Sequence, residues 1–545
     1  MIPTHATPAY SYPLLIKQLL HTPLACTPDQ EIISGTRRYN YRTFHQRINQ
    51  LAEALAAIGV NRGDTVAVMD WDNHRYLECF FAIPMMGAVL HTINIRLAPE
   101  QILYTINHAE DDVILVHADF LPLIEQIRDR FERPTKLVYL DDGEGPDKPE
   151  YCLVEYEAML EATSGEFEFE DFDENTPATT FYTTGTTGDP KGVFYSHRQL
   201  VLHTLAILAG LGAGDGNNRF HRGDVYMPIT PMFHVHGWGM PYAATLMGVK
   251  QVYPGRYEPA LLLGLIEREG VTFSHCVPTI LHMLLSAPEA DQTDLSHWKV
   301  IIGGSALPKG MARAALERGI NVFTAYGLSE TCPFVTVADL SGTPEVTTDD
   351  DTIERRCKTG KPTVMVDLRV VDSEMNDVPR DGKSTGEVVI RAPWLSQGYT
   401  RNPEGSEDLW EGGYMHTGDV GYIDEGGSLQ ITDRMKDVIK SGGEWISSLE
   451  LEDIVSRCEG VDEVAAFGVP HERWGERPML VVVKAADDQS SLSVESIRNA
   501  VRDEVDQGIL SKWAIPERIE FVDEIPKTSV GKLDKKVLRV MYGDR

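Results

Sequence analysis

The sequence predicts an α/β protein. A large N-terminal domain of parallel-sheet α/β subdomains ends in a small β-rich subdomain, and a small α+β domain follows. Three observations lead there. The chain has 545 residues, more than one hydrophobic core sustains. Short apolar strands alternate with stretches of helical periodicity, the pattern of parallel strands joined by covering helices. The texture then changes twice, near Asp350 and near Asp433.

The first helix is expected over 43–58, where Phe44, Ile48, Leu51, Leu55 and Ile58 recur at helical spacing. Thr43 can cap it and Gly59 can end it. A buried strand is expected over 65–69, a helix over 76–86, and a strand over 89–93. The longest near-apolar run, 79–90, contains Pro84 and Gly87 and is too short to span a membrane, so it reads as core. Pro99 opens another helix, and 113–116 and 136–140 are further strands. The alternation returns at 271–273, 299–302 and 321–323.

After Asp350 the expected strands, 366–371, 386–390 and 428–431, are separated by Gly-rich turns, giving a β-rich subdomain of about 350–433. Past Asp433 a helix over 449–458 mixes with strands at 464–469 and 479–483, so 434–545 reads as a separate domain. The acidic stretch 166–174 reads as a solvated loop and 212–222 as a mobile one. Gly210 to Gly216 lacks dinucleotide-binding spacing. Gly382-Lys383-Ser384-Thr385-Gly386 matches a nucleophile elbow in letters but lies before a strand rather than a helix.

Composition excludes several classes. Lys and Arg total 50 against 82 Asp and Glu, a net charge of -32, which repels nucleic acid and anionic lipid. Phosphate ligands would need local exceptions. The seven cysteines are scattered with no CxxC pair, which argues against zinc ribbons and redox dithiols and suits the cytoplasm. No basic region precedes an apolar stretch near Met1, so no signal peptide is expected.

The densest chemical signal runs over 183–192: Thr183, Thr184, Gly185, Thr186, Thr187, Gly188, Asp189, Pro190, Lys191 and Gly192. Glycines let backbone N–H groups converge on a phosphate, and the hydroxyls and lysine add donors. The Walker spacing is absent. Five further blocks follow: Tyr326-Gly327-Leu328-Ser329-Glu330-Thr331; Thr417-Gly418-Asp419; Asp433-Arg434-Met435-Lys436-Asp437; Lys440-Ser441-Gly442-Gly443-Glu444-Trp445; and Pro526-Lys527-Thr528-Ser529-Val530-Gly531-Lys532. Their order resembles that of the adenylate-forming (AMP-binding) superfamily, and the resemblance covers nearly the whole chain. The fatty-acyl-CoA synthetase branch fits best.

The resemblance implies a two-step ligase using ATP, Mg²⁺ and coenzyme A. Glu330 and Thr183 would hold the metal, whose oxygen preference both satisfy. Thr184, Gly185, Thr186, Thr187, Gly188 and Lys191 would face the phosphates. Tyr326, flanked by Thr324, Ala325 and Ser329, would stack on adenine, and Gly304 and Ser305 would line the nucleotide and acyl sites. Asp419 and Arg434 would take the ribose, with Lys436 nearby. Lys532 would bridge the attacking carboxylate and the α-phosphate; the alternative is one more lysine in a tail that also holds Lys527, Lys535 and Lys536. Asp433 would be the hinge of a mobile C-terminal domain. Rotation would bring Lys440, Gly442, Gly443, Glu444 and Trp445 to the coenzyme A side. Many relatives are dimers, so a homodimer is a family expectation.

For the acid, His234, Val235, His236, Gly237 and Trp238 are informative. Two histidines at i, i+2 lack a third ligand for zinc. Peptide-synthetase domains carry an Asp near here, absent in this chain, which disfavours an amino acid. His234 and Trp238, with Gly304, would line the acyl pocket, Trp238 gating it; a Trp packed in the core is the alternative. Small apolar neighbours favour a medium- or long-chain fatty acid, while a short thioether or aryl acid stays open. So do loading of a carrier protein, a luciferase-like oxygenase, and a non-catalytic relative, although the last predicts loss of Lys532 or Glu330.

Overall fold

A computed structural model describes residues 9–143, 145–183, 189–343, 346–441, 444–485, 492–507, 510–528 and 531–543, with the backbone alone at Trp445. The chain forms two compact units: residues 1–184, 189–205 and 232–255, and residues 185–188, 206–231 and 256–545.

The first unit holds a seven-stranded sheet in the order Val154–Glu155, Lys136–Leu140, Val113–His117, Thr65–Met69, Val89–Thr92, Pro177–Thr183, Lys191–Ser196. The first six strands run parallel, and Val113–His117 is buried at every position, as a strand covered on both faces must be. The seventh turns back antiparallel, setting Lys191 opposite Thr183. Helix His74–Met85 is buried at every residue, the 79–90 run having read as core; Asn73 caps it by accepting from the Tyr76 amide at 3.2 Å. Helix Tyr41–Ala57 begins earlier than expected. Its cap is Asn40, whose carboxamide accepts from Thr43 N, and not Thr43.

Buried charge ties these helices together. Arg47 reaches Glu78 at 2.6 Å and Glu157 at 2.8 Å, and Glu78, 0% exposed, also accepts from the hydroxyls of Tyr156 at 2.6 Å and Tyr39 at 3.1 Å. The acidic stretch 166–174 is more than a solvated loop. Asp171 pairs with Lys17 at 2.7 Å, Glu174 accepts from Leu14 N and Arg198, and Phe172 packs on His197.

In the second unit, Val225–Pro228, Phe273–Cys276, Lys299–Ile302 and Asn321–Gly327 lie parallel in that order, extended by antiparallel Phe334–Val337 and Lys361–Pro362. The stretch 212–222 differs from the expected mobile loop. Helix His197–Ala213 occupies its start, Asn217 O accepts from Asn321 Nδ2 at 2.8 Å, and Phe220 is buried on Phe273. The β-rich region also starts later than expected. Its first residues form helix Asp350–Cys357, capped by Asp349, because 350–357 is charged and amphipathic rather than alternating. Antiparallel Asp367–Val371, Gly386–Arg391, Tyr414–Ile423, Trp410–Glu411 and Leu429–Arg434 follow.

The last sheet is dominated by the hairpin of Val461–His471 and Gly475–Lys484, with Arg518–Val522 added parallel. One face, through Val464, Ala466, Leu480 and Val482, packs with residues of helices Ser448–Ser456 and Val494–Asp506; the other, through Phe467, Met479 and Val481, meets Leu538 of helix Lys535–Tyr542.

Candidate active site

In the first unit, Thr183 is the last residue of its strand, paired with Lys191. Thr184, Gly185, Thr186, Thr187 and Gly188 lie outside the described residues. The turn at 235–239 is unusual. Val235, His236, Gly237, Trp238 and Gly239 all have positive φ (48, 55, 56, 59 and 71°). Left-handed backbone costs a non-glycine residue about 1–2 kcal/mol, so surrounding packing must hold it. Trp238 is buried, and His236 is 0% exposed with Phe80, Phe181, Tyr195 and Tyr242 around its ring. Among the described residues, neither ring nitrogen of His236 meets a hydrogen-bond partner, and burial pushes its pKa down to about 3. His234 is half-buried.

In the second unit, strand order places the predicted nucleotide residues together. Asp419 and Arg434 face each other across neighbouring strands, with Arg434 Nε 3.1 Å from Asp419 Oδ1. The Tyr326 hydroxyl donates to Asp419 Oδ2 at 2.7 Å. Burial raises the Asp419 pKa, and Arg434 pulls it back. Thr324 is buried, its hydroxyl donating to the Lys358 carbonyl, and Ala325 pairs with Val337. Glu330 sits in the short turn Ser329–Thr331. Its Oε1 accepts from the Tyr399 hydroxyl at 2.7 Å and its carbonyl from Ser396 N at 2.9 Å.

Lys532 reaches the same place from the far end of the chain. A Cβ on Gly304 would lie 3.2 Å from Lys532 Cε, so this glycine, at φ +80°, leaves the slot the lysine fills. Burial, then the charge of Arg434, pushes the Lys532 pKa down to about 8, while Asp419 and Glu330 oppose the shift. Ser305, next to Gly304, is exposed. Lys436 has its pKa lowered by burial and by Arg434.

The AMP-binding enzyme model matches residues 20–400, and the AMP-binding enzyme C-terminal domain model matches residues 450–532. The chain belongs to the AMP-binding enzyme family. It is 41% identical over 512 residues, 93% of this chain and 90% of the relative, to a long-chain-fatty-acid–CoA ligase of Thermus thermophilus. It is 37% identical over 549 residues, 98% of each chain, to a 3-methylmercaptopropionyl-CoA ligase of Ruegeria lacuscaerulensis. Among solved structures, ATP-bound MatB from Rhodopseudomonas palustris matches with a TM-score of 0.83 at 25% identity, over 98% of this chain and 99% of that one.

Within this AMP-binding enzyme, Asp433 is 2% exposed and clasps two backbone amides, Arg434 N at 2.7 Å and Ser448 N at 2.6 Å. Lys440 and Glu444 are exposed, and the Lys440 amide donates to Glu476 Oε2 at 2.8 Å. Gly442, Gly443 and the Trp445 side chain lie outside the described residues. Two site residues escaped the sequence reading, Tyr399 and Thr279. Neither belongs to a motif, and only tertiary structure brings them to Glu330 and to Gly531. The donor set fits a hard cation: Glu330 is a carboxylate with one oxygen already oriented by a hydroxyl donor. Among the described residues no helix is long and apolar enough to cross a membrane.

Proposed function

We propose that the chain is an acyl-CoA synthetase, an acid–thiol ligase that adenylates a carboxylic acid with ATP and passes the acyl group to coenzyme A. The observation that carries this reading is the half-buried Lys532 side chain, set beside Gly304 in the field of Asp419, Glu330 and Arg434, in a member of the AMP-binding family.

In the first step a carboxylate oxygen bonds to the α-phosphorus as the bond to pyrophosphate breaks. Lys532 holds carboxylate and α-phosphate together and offsets charge in the transition state. Tyr326 lies against adenine, Asp419 and Arg434 take the ribose hydroxyls, and Lys191 with the 183–188 loop cradles the outer phosphates. Mg²⁺, held by Glu330 and Thr183, would neutralise charge on the departing pyrophosphate. In the second step residues 434–545 pivot at Asp433, and the 442–444 loop replaces Lys532. The coenzyme A sulfur then bonds to the acyl carbon, the bond to AMP breaks, and the thiol proton passes to water.

The acid in this reading is a medium- or long-chain fatty acid, supported by Trp238 beside Gly237 and by the Thermus thermophilus relative. A short thioether acid is the second reading, favoured by the Ruegeria lacuscaerulensis relative. The enzyme would work in the cytoplasm as a homodimer, which size-exclusion chromatography checks. The deciding experiment is acid-dependent AMP release with ATP and coenzyme A across short thioether, aryl, medium-chain and long-chain acids. An optimum at medium or long chains supports the first reading, and a short-acid optimum the second. No acid-dependent AMP release overturns both.

A further inference from the structure

The loop that carries Lys532 is closed on itself. Gly531 N donates to Thr528 O at 2.9 Å, Thr528 N to Lys532 O at 2.7 Å, and Lys532 N to Thr528 Oγ1 at 3.1 Å. These bonds tie Thr528, Gly531 and Lys532 to one another, and their position depends on what they dock against. Among the described residues, one hydrogen bond ties it to the part of the chain before Asp433. The Thr279 hydroxyl donates to the Gly531 carbonyl at 3.0 Å.

Thr279 lies in the first turn of helix Pro278–Leu285. The approach is close. Gly531 has φ +82°, and a Cβ there would sit 3.1 Å from Thr279 Oγ1 and 3.7 Å from Val277 Cγ2. Val277 also borders the slot at Gly304 that receives the Lys532 stem. Three residues along the same helix, His282 Nε2 lies 3.2 Å from Asp462 Oδ1. Residues three apart share a helix face, so this short helix grips the C-terminal segment at two points. A third grip is close by, where Lys309 N donates to Asp453 Oδ1 at 3.2 Å.

We propose that Thr279 is a positioning residue for the first half-reaction: its hydroxyl holds the Gly531 carbonyl, and so fixes the peptide from which Lys532 enters the Gly304 slot. The inference rests on the role given to Lys532 above. Lysine has four rotatable side-chain bonds, and its ammonium is placed only as well as its own backbone is. The Gly531–Lys532 peptide is the nearest backbone that can be held. The grip belongs to one half-reaction because Lys532 does; once the loop leaves, the Thr279 hydroxyl has no part in thioester formation.

The test separates the two half-reactions in the full-length enzyme. Thr279→Val keeps the shape and removes the donor. The expected result is an adenylate-formation rate about tenfold lower, the scale of one lost hydrogen bond, with the KM for ATP near wild type. Thioester formation from supplied acyl-adenylate and coenzyme A stays at the wild-type rate. Thr279→Ser restores adenylation, and an unchanged thermal midpoint shows that the fold is intact. Lys532→Ala is run in parallel, and adding Thr279→Val to it gives no further loss. Wild-type adenylation by Thr279→Val while Lys532→Ala has lost it overturns the proposal, as does equal loss in both half-reactions. Full adenylation by Lys532→Ala instead overturns the role of Lys532, and this proposal falls with it.

Discussion

The Tyr399 hydroxyl donates to Glu330 Oε1 at 2.7 Å, although the two residues are 69 positions apart in sequence. Glu330 lies in the short turn Ser329–Thr331, and Tyr399 comes to its carboxylate from a distant part of the chain. The phenol fixes the direction in which the carboxylate presents its other oxygen. Tyr399→Phe is therefore expected to raise the Mg²⁺ concentration for half-maximal AMP release by about tenfold, as one hydrogen bond to a charged group would. Magnesium titration at saturating ATP checks this, and an unchanged titration curve counts against the role of Glu330.

The half-buried Lys532 has a pKa pushed down to about 8 by desolvation and then by Arg434. In the role proposed for it, Lys532 acts as the protonated amine, so adenylation should be full below that value and fall as pH rises through it. The kcat/KM of adenylate formation reports the free enzyme and should show this descending limb. Thioester formation from supplied acyl-adenylate, which does not use Lys532, should not. A limb shared by both steps would locate the titration elsewhere.

Trp238→Ala should change which acids are accepted. The indole is buried beside Gly237 and Gly239, and in the gate role proposed for it its loss would lengthen the space for the acyl chain. Rates across acids of increasing length should move their optimum upward. An unaltered profile would make Trp238 a packing residue.

Glu78→Gln should destabilise the first unit by about 3 kcal/mol, as breaking a buried ion pair does. Glu78 carries Arg47 and the hydroxyls of Tyr39 and Tyr156, and Glu157 alone would then balance Arg47. Urea unfolding should show a lower midpoint, with adenylation kinetics preserved in the folded protein.

Much of this was legible in the sequence for physical reasons. Strands such as Val113–His117 are apolar over their first four residues because both faces are covered, and Asp419 and Arg434 stood in recognisable blocks. Other features depend on choices that local pattern cannot express. Asn40 and Thr43 are both able to cap a helix, and the choice of Asn40 follows from the strand Arg37–Asn40 that delivers it. The pairing of Lys191 with Thr183 needs the sheet to turn antiparallel at its edge. Tyr399 and Thr279 lie in ordinary stretches of sequence and gain their meaning from partners 69 and 252 positions away.

The left-handed turn at 235–239 sets stability against function at particular positions. His236 occupies a backbone conformation that glycine adopts without strain, and it buries an imidazole whose nitrogens are unpaired. His236→Gly would relieve both penalties while leaving a hole among four aromatic rings. Selection for heat tolerance alone would thus press on this turn, and, in the gating role proposed for Trp238, thermostable descendants obtained that way would be the first to show blurred substrate choice. Thermostabilising this enzyme should begin far from residues 235–239.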